Sequence, residues 1–440
     1  MLEHRNSDDL AVWFRWGRVG RIAGTMLKKY KMNDEGKLDA LNDFSKKFFD
    51  KTRNEWPERA DFQKVNGKYD LVEQDFGEDI KTENIAEDTK IKTEPCELDM
   101  EVQSLISMIC DVSMMESYAK ELKFDVERAP LGKLTDKQVQ HGLTILKQIE
   151  NVLLKKSSGR LENLCSQYYT RIPHDFGMRR PPMLRELSQV EEEAELLESL
   201  RQITIAINVR NTGDQHIHPT TKAFQNLNCA LDVVIGDDFK YVQKLLTEGH
   251  GKTHTNYTLK LDTLYKLQRE GEGDTFNSKI GNNELLWHGS RSTNFAGIIK
   301  NGLKIAPAEA PVTGYMFGKG VYFADCVSKS ANYCHATNSN PHGLLLLCKV
   351  ALGKSKDIFN ADDSLPKSLG KYDSIKALGK NIPSAEGTLE GTAVACGNHV
   401  QFEKAELCSL LYNEYVVYDT SQIEILYIAK VKFEYDDDLW

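Results

Sequence analysis

No run of apolar residues in this chain approaches the roughly 18 that a membrane-spanning helix needs. The longest candidate, Leu344 to Leu347, reads as a buried strand. The opening MLEHRNSDDL is polar and acidic, so it is not read as a secretory signal peptide. Nine cysteines are an odd count and none stands in a CxxC pair, which speaks against a disulfide framework and against a zinc site. The expectation is a reducing compartment and no metal. No five consecutive residues are all Lys or Arg, and no internal repeat is visible.

Nucleotide motifs are lacking too. GYMFGKG, Gly314 to Gly320, is one residue short of a phosphate loop and ends in Gly where a magnesium-binding hydroxyl is required. LCKVALGKS fails because Cys348 stands where the first glycine should be. There is no GxGxxG between a strand and a helix, so a dinucleotide would not sit in a Rossmann turn.

What is present is charge in blocks and two kinds of periodicity. The 440 residues, 40% of them apolar, suffice for two to four domains. Net charge is -9, yet residues 11 to 69 hold 14 Lys and Arg against 8 Asp and Glu, and from 11 to 33 there are six basic residues and no acidic one. An anionic partner would dock there. Residues 76 to 100 hold 3 basic and 8 acidic residues with few large apolar side chains, which reads as a solvated linker.

Beyond it Val102, Leu105, Ile106 and Ile109 share one helical face. Thr135 with Gln138 opens a helix through Val139, Leu143, Leu146 and Leu153, and Ser188 with Glu191 repeats the capping signal. Helices between about 100 and 210 predict an all-α bundle, interrupted by the proline-rich loop IPHDFGMRRPP. Glu191 to Glu193 read as a solvated helix face, and His216 with His218 as a surface loop. From about 225, short runs such as LLWHGS, KGVYFAD, GLLLLCKVALG, EYVVYD and IEILYIAKVKFEY, rich in Val, Ile, Tyr and Phe, read as strands.

A lone His before Gly, or a lone Tyr on a strand, is ordinarily structural. Here LLWHGS around His288, GKGVYFADCVSKSANY around Tyr322 and LLYNEY around Glu414 follow one another within one strand-rich region. Together they resemble the His-Tyr-Glu site of the poly(ADP-ribose) polymerases. VWFRWGRVG, with Trp16, Gly17 and Arg18, resembles a WGR domain; PLGKLTDKQ and YYTRIPHDFG resemble the helical regulatory domain; and EAPVTGYMFGKGVYFAD resembles the transferase. The chain is similar to the smaller, zinc-finger-free, DNA-damage-dependent kind.

The resemblance implies an α+β multidomain fold: a small mixed α/β WGR domain at 1–75 that is shortened at its N-terminal side, an acidic linker at 76–97, an all-α regulatory bundle at 98–214, and a mostly antiparallel β transferase domain at 215–440. It implies NAD+ as substrate, nicotinamide release, and growth of ADP-ribose chains on proteins, stimulated by DNA strand breaks. Expected acceptors are chromatin proteins and the chain itself, in the nucleus, with no membrane partner. Nicotinamide–ribose cleavage passes through an oxocarbenium-like state, so the site must hold a flat cationic ring and stabilise positive charge on the sugar.

On that resemblance His288 would hold the adenine-side ribose, and Gly289 and Ser330 would bond the carboxamide. Tyr333 would stack on nicotinamide with Tyr322 across the pocket. Glu414 would polarise the nicotinamide ribose and the acceptor hydroxyl, supported by Lys329. Ser290 and Asn294 would contact the adenosine half, Lys304 would stand beside the cofactor, Met316 and Tyr412 would line the acceptor side, and Trp16 and Arg18 would meet DNA. Lys304 stands where close relatives have arginine, which keeps the charge but loses the planar fork. Residues 371 to 408 are the least similar stretch. The alternatives are a mono-ADP-ribosyltransferase and a DNA-end-binding scaffold with little catalysis.

Overall fold

The computed structural model describes residues 2–3, 9–16, 24–65, 67–71, 94–126, 129–132, 134–156, 159–176, 181–362 and 364–435. In the first of three parts, β1 (Leu2–Glu3), β2 (Asp9–Trp16) and β3 (Gly24–Lys31) form an antiparallel sheet backed by α1 (Asp34–Thr52). Strand alternation sends Leu10 and Val12 inward against Ala40 of the helix. It turns Trp13 outward beside its cross-strand partner Leu27, and both are about half exposed. Asn33 caps α1 by accepting from the Gly36 N–H at 2.8 Å.

The second part holds α2 (Met100–Ile109), α3 (Val112–Glu121), α4 (Asp136–Leu154), α5 (Leu161–Arg171) and α6 (Leu187–Asn211), followed by the short α7 (Pro219–Asn226). The Thr135–Gln138 capping box forms as expected. The Ser188–Glu191 box does not: α6 begins at Leu187, and Glu186 with Gln189 closes the box instead. Nor are Glu191 to Glu193 uniformly solvated. Glu193 turns in, accepting from the Tyr168 hydroxyl at 2.7 Å and pairing with buried His174 at 2.9 Å. Of the proline-rich loop, 177–180 lie outside the described residues.

The third part comprises β4 (Cys229–Val234), α8 (Asp237–Glu248), β5 (Tyr257–Arg269), α9 (Glu272–Thr275), β6 (Asn283–Ser290), α10 (Phe295–Asn301), β7 (Val321–Phe323), α11 (Val327–Ala331) and β8 (His342–Ala351). It ends with β9 (Ser355–Ile358), β10 (Ser374–Ala377), β11 (Gly379–Leu389), β12 (Thr392–Gln401), β13 (Leu410–Tyr412), β14 (Glu414–Val417) and β15 (Ile423–Tyr435). Eight strands in the order β13-β11-β12-β6-β8-β15-β5-β4 make one sheet, and β7-β14-β10-β9 a second. Pairing is antiparallel except for β9 with β10, β11 with β13 and β6 with β12.

Bundle and sheet share one core. Leu105, Ile106 and Ile109 of α2 and Ile203, Ala206 and Val209 of α6 lie in the same apolar cluster as Tyr265, Leu286, Phe295 and Leu346. Polar ties cross the same boundary: the Tyr265 hydroxyl donates to the Glu101 carbonyl at 2.9 Å, and Thr263 Oγ1 to the Glu101 carboxylate at 2.9 Å. A second cluster, built from Leu143, Leu146, Ile149, Tyr168, Leu197 and Leu200, belongs mainly to α4, α5 and α6.

A shared core predicts joint unfolding. Truncating fully buried Ile203 to Ala should cost about 2–5 kcal/mol. In a chain whose Trp13, Trp16, Trp56 and Trp440 are replaced by Phe, the denaturant midpoint of helix loss, read by far-UV circular dichroism, and that of the fluorescence of Trp287 in the sheet should fall together; a bundle transition that separates from the Trp287 change would contradict the shared core.

Candidate active site

Three strands converge to make the site. Leu285, Leu286 and Trp287 are buried, which fixes β6 in the sheet and brings His288 and Gly289 to its open end. β7 and β14 pair antiparallel with Val416 opposite Tyr322. Ala324, just past β7, exchanges two backbone hydrogen bonds with Trp287 of β6, at 2.8 and 3.0 Å. His288, Tyr322 and Glu414, 126 residues apart from first to last, therefore line one cavity of about 250 Å³, with Gly289, Lys329, Ser330 and Tyr333 on the same walls.

His288 Nδ1 lies 2.8 Å from the Tyr322 carbonyl oxygen. A carbonyl only accepts, so Nδ1 carries the proton and Nε2 is left as an acceptor for a sugar hydroxyl. Burial holds the ring below its ordinary titration range, which keeps it in that neutral form. Tyr322 is itself pinned: its hydroxyl donates to the Gly318 carbonyl at 2.7 Å and accepts from the Phe317 N–H at 3.1 Å. Burial raises its pKa, so it stays a neutral phenol. Its ring is a wall, and its hydroxyl fastens the 314–318 loop that closes one side.

Glu414 sits 3.0 Å from Lys329 Nζ with both side chains mostly buried, and the same ammonium donates to the Tyr412 carbonyl at 2.9 Å. Ser330 is 5% exposed and gives its hydroxyl proton to the Trp287 carbonyl at 3.0 Å, which leaves the oxygen as an acceptor toward the cavity. A Cβ on Gly289 would lie 1.8 Å from the Ser330 carbonyl oxygen, so only glycine lets these two backbones touch. Tyr333 is 58% exposed and stands at the mouth, placed to cover a flat ring. Met316 lines the same cavity and is 42% exposed.

Other expected residues lie elsewhere. Lys304 lines a second cleft of about 330 Å³ that shares Gly314 and Tyr315 with the first and is walled by Glu191, Glu195, Glu198 and Arg201 of α6. Ser290 and Asn294 line neither cavity; they are bonded to each other at 3.0 Å beneath α3, whose Met114 accepts from Ser292. Tyr412 does not line the acceptor side: it is 1% exposed and its hydroxyl is taken by Thr253 at 3.0 Å. The strand breaks at Asn413, and that break turns Tyr412 inward while Glu414 faces the cavity. Trp16 is 45% exposed at the end of β2, and Arg18 is outside the described residues.

Sequence reasoning missed two residues that hold the loop over the site. Lys319, set aside with the failed phosphate loop, donates to the carbonyls of Pro307 at 2.7 Å and of Ala310. Glu150 of α4 is 4% exposed and accepts from the Val312 N–H at 2.8 Å, the Thr313 N–H at 2.7 Å and the Thr313 hydroxyl at 2.6 Å. A signal existed, since Glu150 follows Leu146 and Ile149 on the apolar face of α4, where an unpartnered carboxylate would be costly.

Comparison with known proteins agrees with this arrangement of parts. Residues 236–433 match the poly(ADP-ribose) polymerase catalytic domain, 96–224 the poly(ADP-ribose) polymerase regulatory domain, and 1–63 the WGR domain. The chain is 40% identical over 448 residues to poly [ADP-ribose] polymerase 2 of Homo sapiens, covering 99% of this chain and 76% of that protein. It is 39% identical over 461 residues to poly [ADP-ribose] polymerase 2 of Arabidopsis thaliana, covering 99% and 70%. It is 38% identical over 452 residues to poly [ADP-ribose] polymerase 1 of Gallus gallus, spanning all of this chain but 44% of that relative. The chain belongs to the poly(ADP-ribose) polymerase family.

The backbone contact at Gly289 predicts that Gly289→Ala displaces β6 from α11 and opens that wall of the cavity. Binding of nicotinamide or benzamide, measured by calorimetry, should weaken by about tenfold or more, since a shift of a few tenths of an ångström breaks paired hydrogen bonds. Unchanged affinity would remove Gly289 from the binding wall.

Proposed function

We propose that this chain is an NAD+-dependent protein poly-ADP-ribosyltransferase that acts when DNA is broken. It would release nicotinamide and extend ADP-ribose chains on proteins, itself included. The observation that carries the reading is the meeting of His288, Tyr322, Glu414 and Lys329 around one cavity in a chain of this family.

The walls fit NAD+ as substrate. The Gly289 backbone and the Ser330 oxygen offer a donor and an acceptor to a planar amide, and Tyr322 and Tyr333 offer aromatic surface to its ring. His288 Nε2 accepts from a ribose hydroxyl of the donor. As the bond from sugar to nicotinamide lengthens, positive charge develops on the ribose, and the Glu414 carboxylate stabilises it and draws on the 2'-hydroxyl. In elongation the same carboxylate polarises the hydroxyl of the incoming acceptor. Lys329 holds Glu414 in place from 3.0 Å, while nicotinamide leaves as a neutral molecule that needs no acid.

The bundle supplies restraint. Glu150 holds the 312–313 backbone from outside, and Glu191 and Glu195 place carboxylates along the cleft where Lys304 would stand beside the cofactor, while Glu198 there is paired with Arg201 at 2.8 Å. An anionic diphosphate entering there meets like charge. In our reading the domains at 1–75, 98–214 and 215–440, joined through the acidic stretch at 76–97, act as a relay. The basic first domain, through Trp16 and Arg18, grips a strand break, and the bundle then yields. The nucleus is where such a partner is found, and chromatin proteins are the acceptors at hand. A single-transfer enzyme is the weaker reading, because a glutamate stands where the acceptor hydroxyl must be polarised.

Two variants test this. Glu414→Gln should abolish long polymer on a sequencing gel and lower turnover by roughly 100-fold or more, with some single transfer or NAD+ hydrolysis remaining; long chains from that variant would remove Glu414 from its role. Glu150→Ala should raise nicotinamide release in the absence of DNA severalfold, because it removes the acceptor of two partly buried N–H groups and loosens the loop. Basal activity that stays unchanged or falls would contradict restraint through Glu150.

A further inference from the structure

A carboxylate buried without a cation is expensive to keep, and Asp325 is one. It is 4% exposed, and among the described residues no Lys, Arg or His stands within ion-pair distance. Its Oδ1 has no hydrogen-bond partner, while its Oδ2 has two: Asn413 Nδ2 donates to it at 2.6 Å and the Tyr415 hydroxyl at 3.1 Å. Those partners are the residues immediately before and after Glu414.

The backbone explains how this arises. The β7–β14 ladder pairs Phe323 with Tyr415, and continuing the same register places Asn413 opposite Asp325, where strand pairing has already ended. A side-chain bond therefore takes over from the ladder at the point where Glu414 must leave the strand to face the cavity. Asn413 is 1% exposed and is held from its other side as well, its Oδ1 accepting from the Gly379 N–H at 2.8 Å. Asp325 is in turn anchored by its neighbour Ala324, which is bonded to Trp287 beside His288. Lys329 holds Glu414 at the cavity; Asp325 holds the two residues beside it from behind.

We propose that Asp325 is a positioning residue for Glu414, acting through one oxygen shared by Asn413 and Tyr415. It does not touch substrate, and nothing in the reaction requires it to gain or lose a proton. It fixes where the Glu414 carboxylate points relative to the ribose, so its effect falls on turnover and not on NAD+ binding. The proposal rests on the reading of Glu414 given above.

The test is a double-mutant cycle on the full chain with nicked DNA, measuring nicotinamide release and thermal midpoint. Asp325→Ala should lower kcat by roughly 10- to 100-fold, the scale of a misplaced reacting group, with KM for NAD+ changed by less than about twofold. Asp325→Asn, which keeps an acceptor oxygen in place, should recover most of that loss. In a Glu414→Gln background, adding Asp325→Ala should lower the residual hydrolysis no further, because the group it positions is gone. Equal losses in both backgrounds, or a raised KM with kcat unchanged, would overturn the proposal. Should Asp325→Ala fail to fold, Tyr415→Phe and Asn413→Ser each remove one bond, and the same dependence on Glu414 is expected of them. If Glu414→Gln alone leaves turnover intact, the reading of the site fails; if it cripples turnover while Asp325→Ala does not, only the positioning role fails.

Discussion

The contact on which the site depends is the ion pair of Lys329 and Glu414, 3.0 Å apart and each less than one-fifth exposed. A carboxylate can stabilise a cationic sugar and draw on its hydroxyl only when it is held facing them. The ammonium that faces Glu414 also binds the Tyr412 carbonyl, so one side chain fixes both the position of the carboxylate and the path of its strand. The price is two charges withdrawn from water, offset by close geometry and by the extra backbone acceptor.

Around that pair the structure is tied from several directions. Ala324 joins the His288 strand to the Tyr322 strand, and the Tyr322 hydroxyl fastens the 317–318 backbone. Lys319 and Glu150 then fasten the adjoining loop, one from within the sheet domain and the other from the bundle. Because the bundle also shares an apolar cluster with the sheet, its hold on the pocket is cooperative with folding of the whole unit. A distant ligand that weakens this hold needs only to offset a few hydrogen bonds, which is within the usual range of allosteric coupling, about 1–3 kcal/mol.

Local signals in the sequence were good guides to local structure. The Thr135–Gln138 box, the strand runs and the strings around His288, Tyr322 and Glu414 could be read because each depends on residues a few positions apart. What could not be read was pairing over long separations. Glu150 finds its partners more than 160 residues away, and Asp325 and Asn413 are 88 apart. Tyr412 was misread for a related reason: alternation along LLYNEY puts Tyr412 and Glu414 on one face, and only the break at Asn413 separates them. Ser188 followed by Glu191 has the pattern of a capping box, but Glu186, two residues earlier, is the N-cap and has Gln189 to close its box. Arg18 falls outside the described residues, so its place rests on the sequence alone.

The central claim is that this fold spends NAD+ on protein-bound polymer and does so when DNA is broken. It is tested most directly by incubating the purified full chain with labelled NAD+, with and without nicked DNA, and following nicotinamide release and the size of labelled protein together. The account predicts slow release alone and, with nicked DNA, an acceleration of tenfold or more by the coupling range above, about 1–3 kcal/mol, accompanied by a ladder of heavily modified chain. Release that is fast and indifferent to DNA, or label that stays at a single unit per site, would contradict it.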